Sequence, residues 1–165
     1  MTGTLNMISR FPLVLVALLS ACTVQVGGSA EDEQVNTGTA VQQEEVRAAA
    51  RTIAALFDEG RFAESWALAG PVLKSQTSQQ EWARHVATLR KPLGAAGKRT
   101  IEGFGFPKEL DGAPPGEYGL IGVRTDFTNA NAVEEKFVFQ RVGTEWKLIG
   151  YWLSKKVTFG VSKQT

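Results

Sequence analysis

Residues 117–154 read EYGLIGVRTDFTNANAVEEKFVFQRVGTEWKLIGYWLS, three alternating apolar runs broken by Asn129-Ala130-Asn131 and Gly143-Thr144. A period of two puts successive side chains on opposite faces of an extended chain, and the turn residues between the runs permit only short connections. The runs therefore read as strands over 117–128, 133–142 and 145–154. A further strand, over 101–106, precedes them across Asp111-Gly112-Ala113-Pro114-Pro115-Gly116. Consecutive strands joined by short turns pair antiparallel, so the second half of the chain is expected to form a four-stranded meander.

Upstream the period lengthens. Val46, Ala50, Ile53 and Phe57 recur at helical spacing with Gly60 behind them, which predicts a helix over 41–59. Phe62, Trp66 and Leu68 predict a brief second helix over 61–69, ended by Gly70-Pro71. Ser78-Gln79-Gln80-Glu81 is a capping box: the hydroxyl satisfies an open backbone amide while the carboxylate reaches back to the cap. It starts a third helix whose apolar stripe is Trp82, Val86 and Leu89, closed by Pro92 and Gly94. Helices first and strands afterwards imply an α+β fold, with three N-terminal helices packed on a four-stranded antiparallel sheet. A chain of 165 residues that is 43% hydrophobic supplies one core, hence a single domain over 41–154.

At the amino end Leu19-Ser20-Ala21-Cys22 follows Arg10 and an apolar run over 11–19. That run is too short to cross a bilayer core, which takes about 20 residues. The arrangement resembles a bacterial lipoprotein lipobox. The resemblance implies that residues 1–21 are a signal peptide, that the Cys22 thiol receives a diacylglycerol thioether, and that the new amine is acylated. Two lipid signals suffice for stable anchoring, so the membrane contact would be lipid. The competing reading is an ordinary secretory signal cut near Ala21, which leaves Cys22 free. Thr23 stands where an aspartate would favour inner-membrane retention, which points to the outer membrane, facing the periplasm. Translation from Met1 or from Met7 leaves the cut site unchanged. Residues 23–40 are small, polar and acidic, and predict a flexible tether with a reach on the order of 20–25 Å. Residues 155–165 are expected either to add a short strand or to stay loose.

With residues 1–21 set aside, 17 basic residues face 17 acidic ones. This balance supplies none of the basic excess that nucleic-acid binding requires, which excludes that class of partner. Cys22 is the only cysteine and His85 the only histidine, so disulfides, cysteine-ligated metals and multi-histidine metal sites are excluded, and no cofactor is expected. No serine sits in a Gly-x-Ser-x-Gly elbow.

Several residues remain as candidates. His85 shares a helix face with Trp82, Val86 and Leu89 and is read as a structural residue at the sheet or its rim. Alternation puts Tyr118, Leu120, Arg124 and Asp126 on one face of their strand and Ile121, Val123 and Phe127 on the other, the latter facing the helices. A proton-transfer site would need a carboxylate and hydroxyl donors converging in a dry cavity, and Tyr118 and Asp126 stand roughly 26 Å apart along a straight strand. Arg124 and Asp126, about 7 Å apart, are expected to pair with each other or with Glu135 in a solvated ladder. Trp146 and Trp152 are read on one face of the last strand with Tyr151 opposite, as packing residues or as a stacking surface. The candidate ligand or partner surface is thus Trp82, His85, Tyr118, Arg124, Glu135, Trp146, Tyr151 and Trp152.

Gly60 with Trp66, Trp82, Arg90 followed by Pro92-Leu93-Gly94, Arg99, Gly116-Glu117-Tyr118, Phe127, Glu134 or Glu135, and Trp146 ahead of Gly150-Tyr151 occur here as a spaced set. From about residue 49 to 153 the chain is similar to a bacterial exported family known as domain of unknown function 4019. The resemblance implies a roll of the cystatin-like or nuclear-transport-factor-like kind and carries no activity. Two functions follow as expectations: a lipid-anchored binding or assembly module for an envelope protein or small ligand, or a small isomerase- or dehydratase-like enzyme using a pocket between helices and sheet.

Overall fold

A computed structural model describes residues 36–155. Residues 1–35, which include the expected signal peptide, Cys22 and most of the expected tether, and residues 156–165 lie outside the described residues. Helix α1 spans Ala40–Asp58 and opens on a reciprocal cap between Thr39 and Gln42. A 3-10 turn at Glu64–Leu68 leads to α2 (Pro71–Gln76) and α3 (Gln79–Arg90). The strands β1 (Ala96–Gly105), β2 (Tyr118–Phe127), β3 (Ala130–Val142) and β4 (Glu145–Lys155) follow, each antiparallel to the next, in the spatial order β1-β2-β3-β4. No helix among the described residues is long and apolar enough to cross a membrane.

Helices α1 and α3 cover one face of this sheet. Val46, Ile53 and Phe57 of α1 and Trp82 and Val86 of α3 are buried against Ile121, Val123, Phe137, Phe139 and Leu148. Gly119 marks how closely α1 approaches, since a Cβ there would lie 2.6 Å from Cγ2 of Val46. Across the sheet, Tyr118, Val138 and Ile149 form a smaller cluster, covered by Val72 of α2 and by Leu110 and Ala113 of the loop between β1 and β2. The folded chain is already tied down at Asn36, whose amide donates to the Phe106 carbonyl while its own carbonyl accepts from Phe106 N–H.

Three local expectations are corrected. The segment 61–69 forms only a 3-10 turn, and the second α-helix lies after it at Pro71–Gln76, because Pro71 occupies a first-turn position that needs no N–H and so starts a helix instead of stopping one. β1 begins at Ala96 and carries two register shifts, so its pairing with β2 is interrupted and the small and charged residues 96–100 hide the strand from a period-two pattern.

The third correction concerns the aromatic residues of β4. Val138 faces Gly150 while Phe139 faces Leu148, so Ile149 is the extra residue of a bulge. The bulge reverses the alternation, and as a result Trp146, Leu148 and Tyr151 all belong to the helix-side core while Trp152 lies on the opposite face.

Candidate functional site

Six elements each bring one polar side chain to a single point under the helix ends. Asp58 closes α1 and Arg90 closes α3; Arg99, Thr125, Glu135 and Tyr151 come from β1 to β4 in order. Glu135 has a fully buried side chain, and that of Arg90 is 4% exposed. Four donors reach the Glu135 carboxylate: Arg90 Nη1 at 2.6 Å and Tyr151 Oη at 2.6 Å on Oε2, Thr125 Oγ1 at 2.5 Å and Arg99 Nε at 3.1 Å on Oε1. Arg90 Nη2 donates to Asp58, which also accepts from Arg99 Nη1 at 2.6 Å and Nη2 at 2.7 Å. The Arg90 guanidinium lies 4.5 Å from the centre of the Phe127 ring.

A carboxylate offers about four lone-pair sites, and all four at Glu135 are occupied. Two arginines and two carboxylates cancel in charge, which is the condition under which buried ions are tolerated. Burial, followed by the adjacent Glu135 charge, pushes the Tyr151 hydroxyl above its ordinary range. The unfolded chain releases this proton near pH 10 and the folded chain keeps it, so the contribution is fully present below pH 10 and declines above it. Between pH 8 and pH 11 the wild type is expected to lose about 1.4 kcal/mol relative to Tyr151→Phe. Urea unfolding at pH 8 and pH 11 measures this, and a difference between the two proteins that stays constant would contradict it.

The structure separates the remaining candidates. Arg124 and Asp126 do not pair with each other or with Glu135: the Arg124 guanidinium lies 3.3 Å from Glu102, Asp126 accepts the Ala132 amide, and Glu135 points inward. The expected solvated ladder fails because Glu135 shares a face of β3 with buried Val133 and Phe137, the face that meets the helices. Tyr118 is buried, and its hydroxyl donates to the Pro114 carbonyl. Trp82 Nε1 donates to Ser65 Oγ at 2.9 Å. Trp146 Nε1 donates to Glu45 Oε2 at 2.9 Å beside Arg141, and these two donors hold the Glu45 carboxyl below its usual range.

His85 is exposed, with its ring centre 6.4 Å from that of Trp82, in a groove that Tyr151 and Trp152 also line. Trp152 is 54% exposed and lies over Gly150, where a Cβ would come 2.1 Å from the indole. It walls a second groove of about 480 Å³ with Val72, Leu110, Leu120 and Lys136. No group of three or more His, Cys, Asp or Glu among the described residues is arranged to hold a metal ion.

Sequence reasoning singled out Glu135 and Tyr151 but left Asp58 and Thr125 outside the surface, and named Arg90 and Arg99 only within the family pattern. A signal was present: Arg90 continues the Trp82–Val86 stripe at four-residue spacing, so a cation was due on an inward face.

The site and its scaffold define an α+β domain with α1 and α3 on one sheet face and an ion cluster between them that is buried at Glu135 and Arg90 and partly exposed at Asp58 and Arg99. The family described as "Protein of unknown function (DUF4019)" matches residues 49–151, and the chain belongs to that family. No curated protein and no solved structure matches the chain.

Proposed function

We propose that the chain is a lipid-anchored lipoprotein of the bacterial cell envelope whose folded domain binds a ligand or partner and does not turn one over. The observation that carries the binding half is the saturation of Glu135. The carboxylate best placed to accept a proton has all its acceptor sites filled by side chains of the protein, and the hydroxyl beside it is committed to that carboxylate. An isomerase- or dehydratase-like site needs an unengaged base facing an open cavity. His85 faces a groove, but it is exposed to water and no carboxylate hydrogen-bonds to it among the described residues. The disposition of α1 along the inner face of a four-stranded meander supports a cystatin-like or nuclear-transport-factor-like roll as our reading of the architecture.

The anchoring half rests on Leu19-Ser20-Ala21-Cys22 after its apolar run, with the outer membrane as the expected destination because Thr23 follows Cys22. Cells fed an alkyne-tagged palmitate are expected to label the wild-type chain in the membrane fraction and to give no label on Cys22→Ala. Label retained by the variant would overturn the anchor.

A further inference from the structure

Between α1 and strands β1 and β2 lies a pocket of about 270 Å³, apart from the Glu135 cluster except where Asp58 and Arg99 form one end of it. Its floor is apolar: Ala54, Ile121, Val123 and Phe137. Ile101 also lines it and is left 39% exposed. Its rim is cationic, since among the described residues the charged ones lining it are Arg47, Arg51, Arg99 and Asp58.

Two of these arginines share a single exposed carboxylate, Glu44. Arg51 is 70% exposed and its nearest carboxylate, Glu44, stands 3.9 Å away. Arg47, whose guanidinium lies 5.5 Å from the centre of the Phe104 ring, meets the same Glu44, itself 58% exposed, at 2.5 Å, while its Nε is buried without a hydrogen-bond partner. Exposed ion pairs of this kind contribute little and exchange readily for a better anion. Arg99, by contrast, is held by Asp58 and Glu135 and would only frame the site.

We infer that this pocket binds a small amphiphilic anion, with its apolar tail on the Phe137 floor and its carboxylate or phosphate head between Arg47 and Arg51. Forked guanidinium donors match both kinds of head, so the rim selects charge while the floor selects a hydrocarbon tail. A volume of about 270 Å³ suits a short hydrocarbon tail, and six carbons is the length to test. The volume lies just under the range of about 300–1,000 Å³ typical of drug-sized ligands. Each methylene buried should tighten binding about fourfold until the floor is filled.

This site rests on the binding reading above and is tested apart from the lipid anchor. The full chain, purified in a non-ionic detergent, and its Arg47→Gln/Arg51→Gln variant would be titrated with carboxyl-labelled hexanoate, with hexyl phosphate, and with hexanol as the uncharged control, with detergent alone used to subtract partition into micelles. Saturable binding of one or both anions is expected, at least tenfold tighter than hexanol and at least tenfold weaker in the double variant, and the preferred head group identifies the source. Arg51→Glu, a charge reversal on an exposed side chain, gives the same reading should the double variant fail to fold. Equal binding of hexanol, undiminished binding by the variants, or no saturable binding of either anion would overturn the site. Any of these results with palmitate still on Cys22 removes the anion site alone and leaves the anchor standing.

Discussion

Truncating Glu135 to alanine is expected to cost about 3–5 kcal/mol of folding stability, the range for removing one partner of a buried ion pair. The loss arises on the other side of the pair. Arg90, with a side chain 4% exposed, would keep its charge with only Asp58 to balance it, and Tyr151 and Thr125 would each lose their acceptor in a place water does not reach. Against a total of about 5–15 kcal/mol for an ordinary domain, this leaves little margin. Urea titration would show the midpoint falling sharply with the slope unchanged. A loss under about 1 kcal/mol would mean that water or a rearranged side chain satisfies Arg90, and the pair would then be far less buried than its geometry implies.

The second large effect is expected at Phe57, 2% exposed and the meeting point of the core. Its ring centre lies 4.9 Å from that of Tyr151, 6.1 Å from Phe62, 6.3 Å from Phe137 and 6.4 Å from Trp82, so one side chain joins α1 to the 61–68 segment, to α3 and to the two last strands. Phe57→Ala leaves a cavity that several elements would have to close together, and a loss of about 3–5 kcal/mol is expected. Phe57→Leu keeps most of the volume and is expected to cost less, on the order of 1.5 kcal/mol. Thermal unfolding of the two variants measures the difference. Equal losses would show that the contacts of the aromatic ring, and not the volume it fills, decide the cost.

The alternation of Ile121, Val123 and Phe127 and the stripe of Val46, Ala50, Ile53 and Phe57 are enough to place β2 and α1, because each repeats the period of its own element several times. What escaped was set by single residues. Ile149 adds one position to β4 and moves Trp152 to the face opposite Trp146, and nothing in a run of alternating apolar residues announces an extra member. Pro71 begins a helix where a glycine-proline pair suggested an end. The ion cluster was half legible: Glu135 and Tyr151 stood out as types, but Asp58, Arg90, Arg99 and Thr125 come from four other elements, and their meeting depends on how helix ends sit over the sheet. Spacing along the chain carries no information about such a meeting.

A double-mutant cycle on Arg90 and Glu135 tests the buried ion pair most directly. Arg90→Met and Glu135→Leu each strand an opposite charge, whereas the double variant removes one of each and leaves Asp58 and Arg99 as a neutral, partly exposed pair. The double variant is expected to be destabilised by at least about 2 kcal/mol less than the sum of the single losses. Losses that add to within about 0.5 kcal/mol would contradict the account, because the two side chains would then be contributing independently and Glu135 would be a carboxylate free for other work.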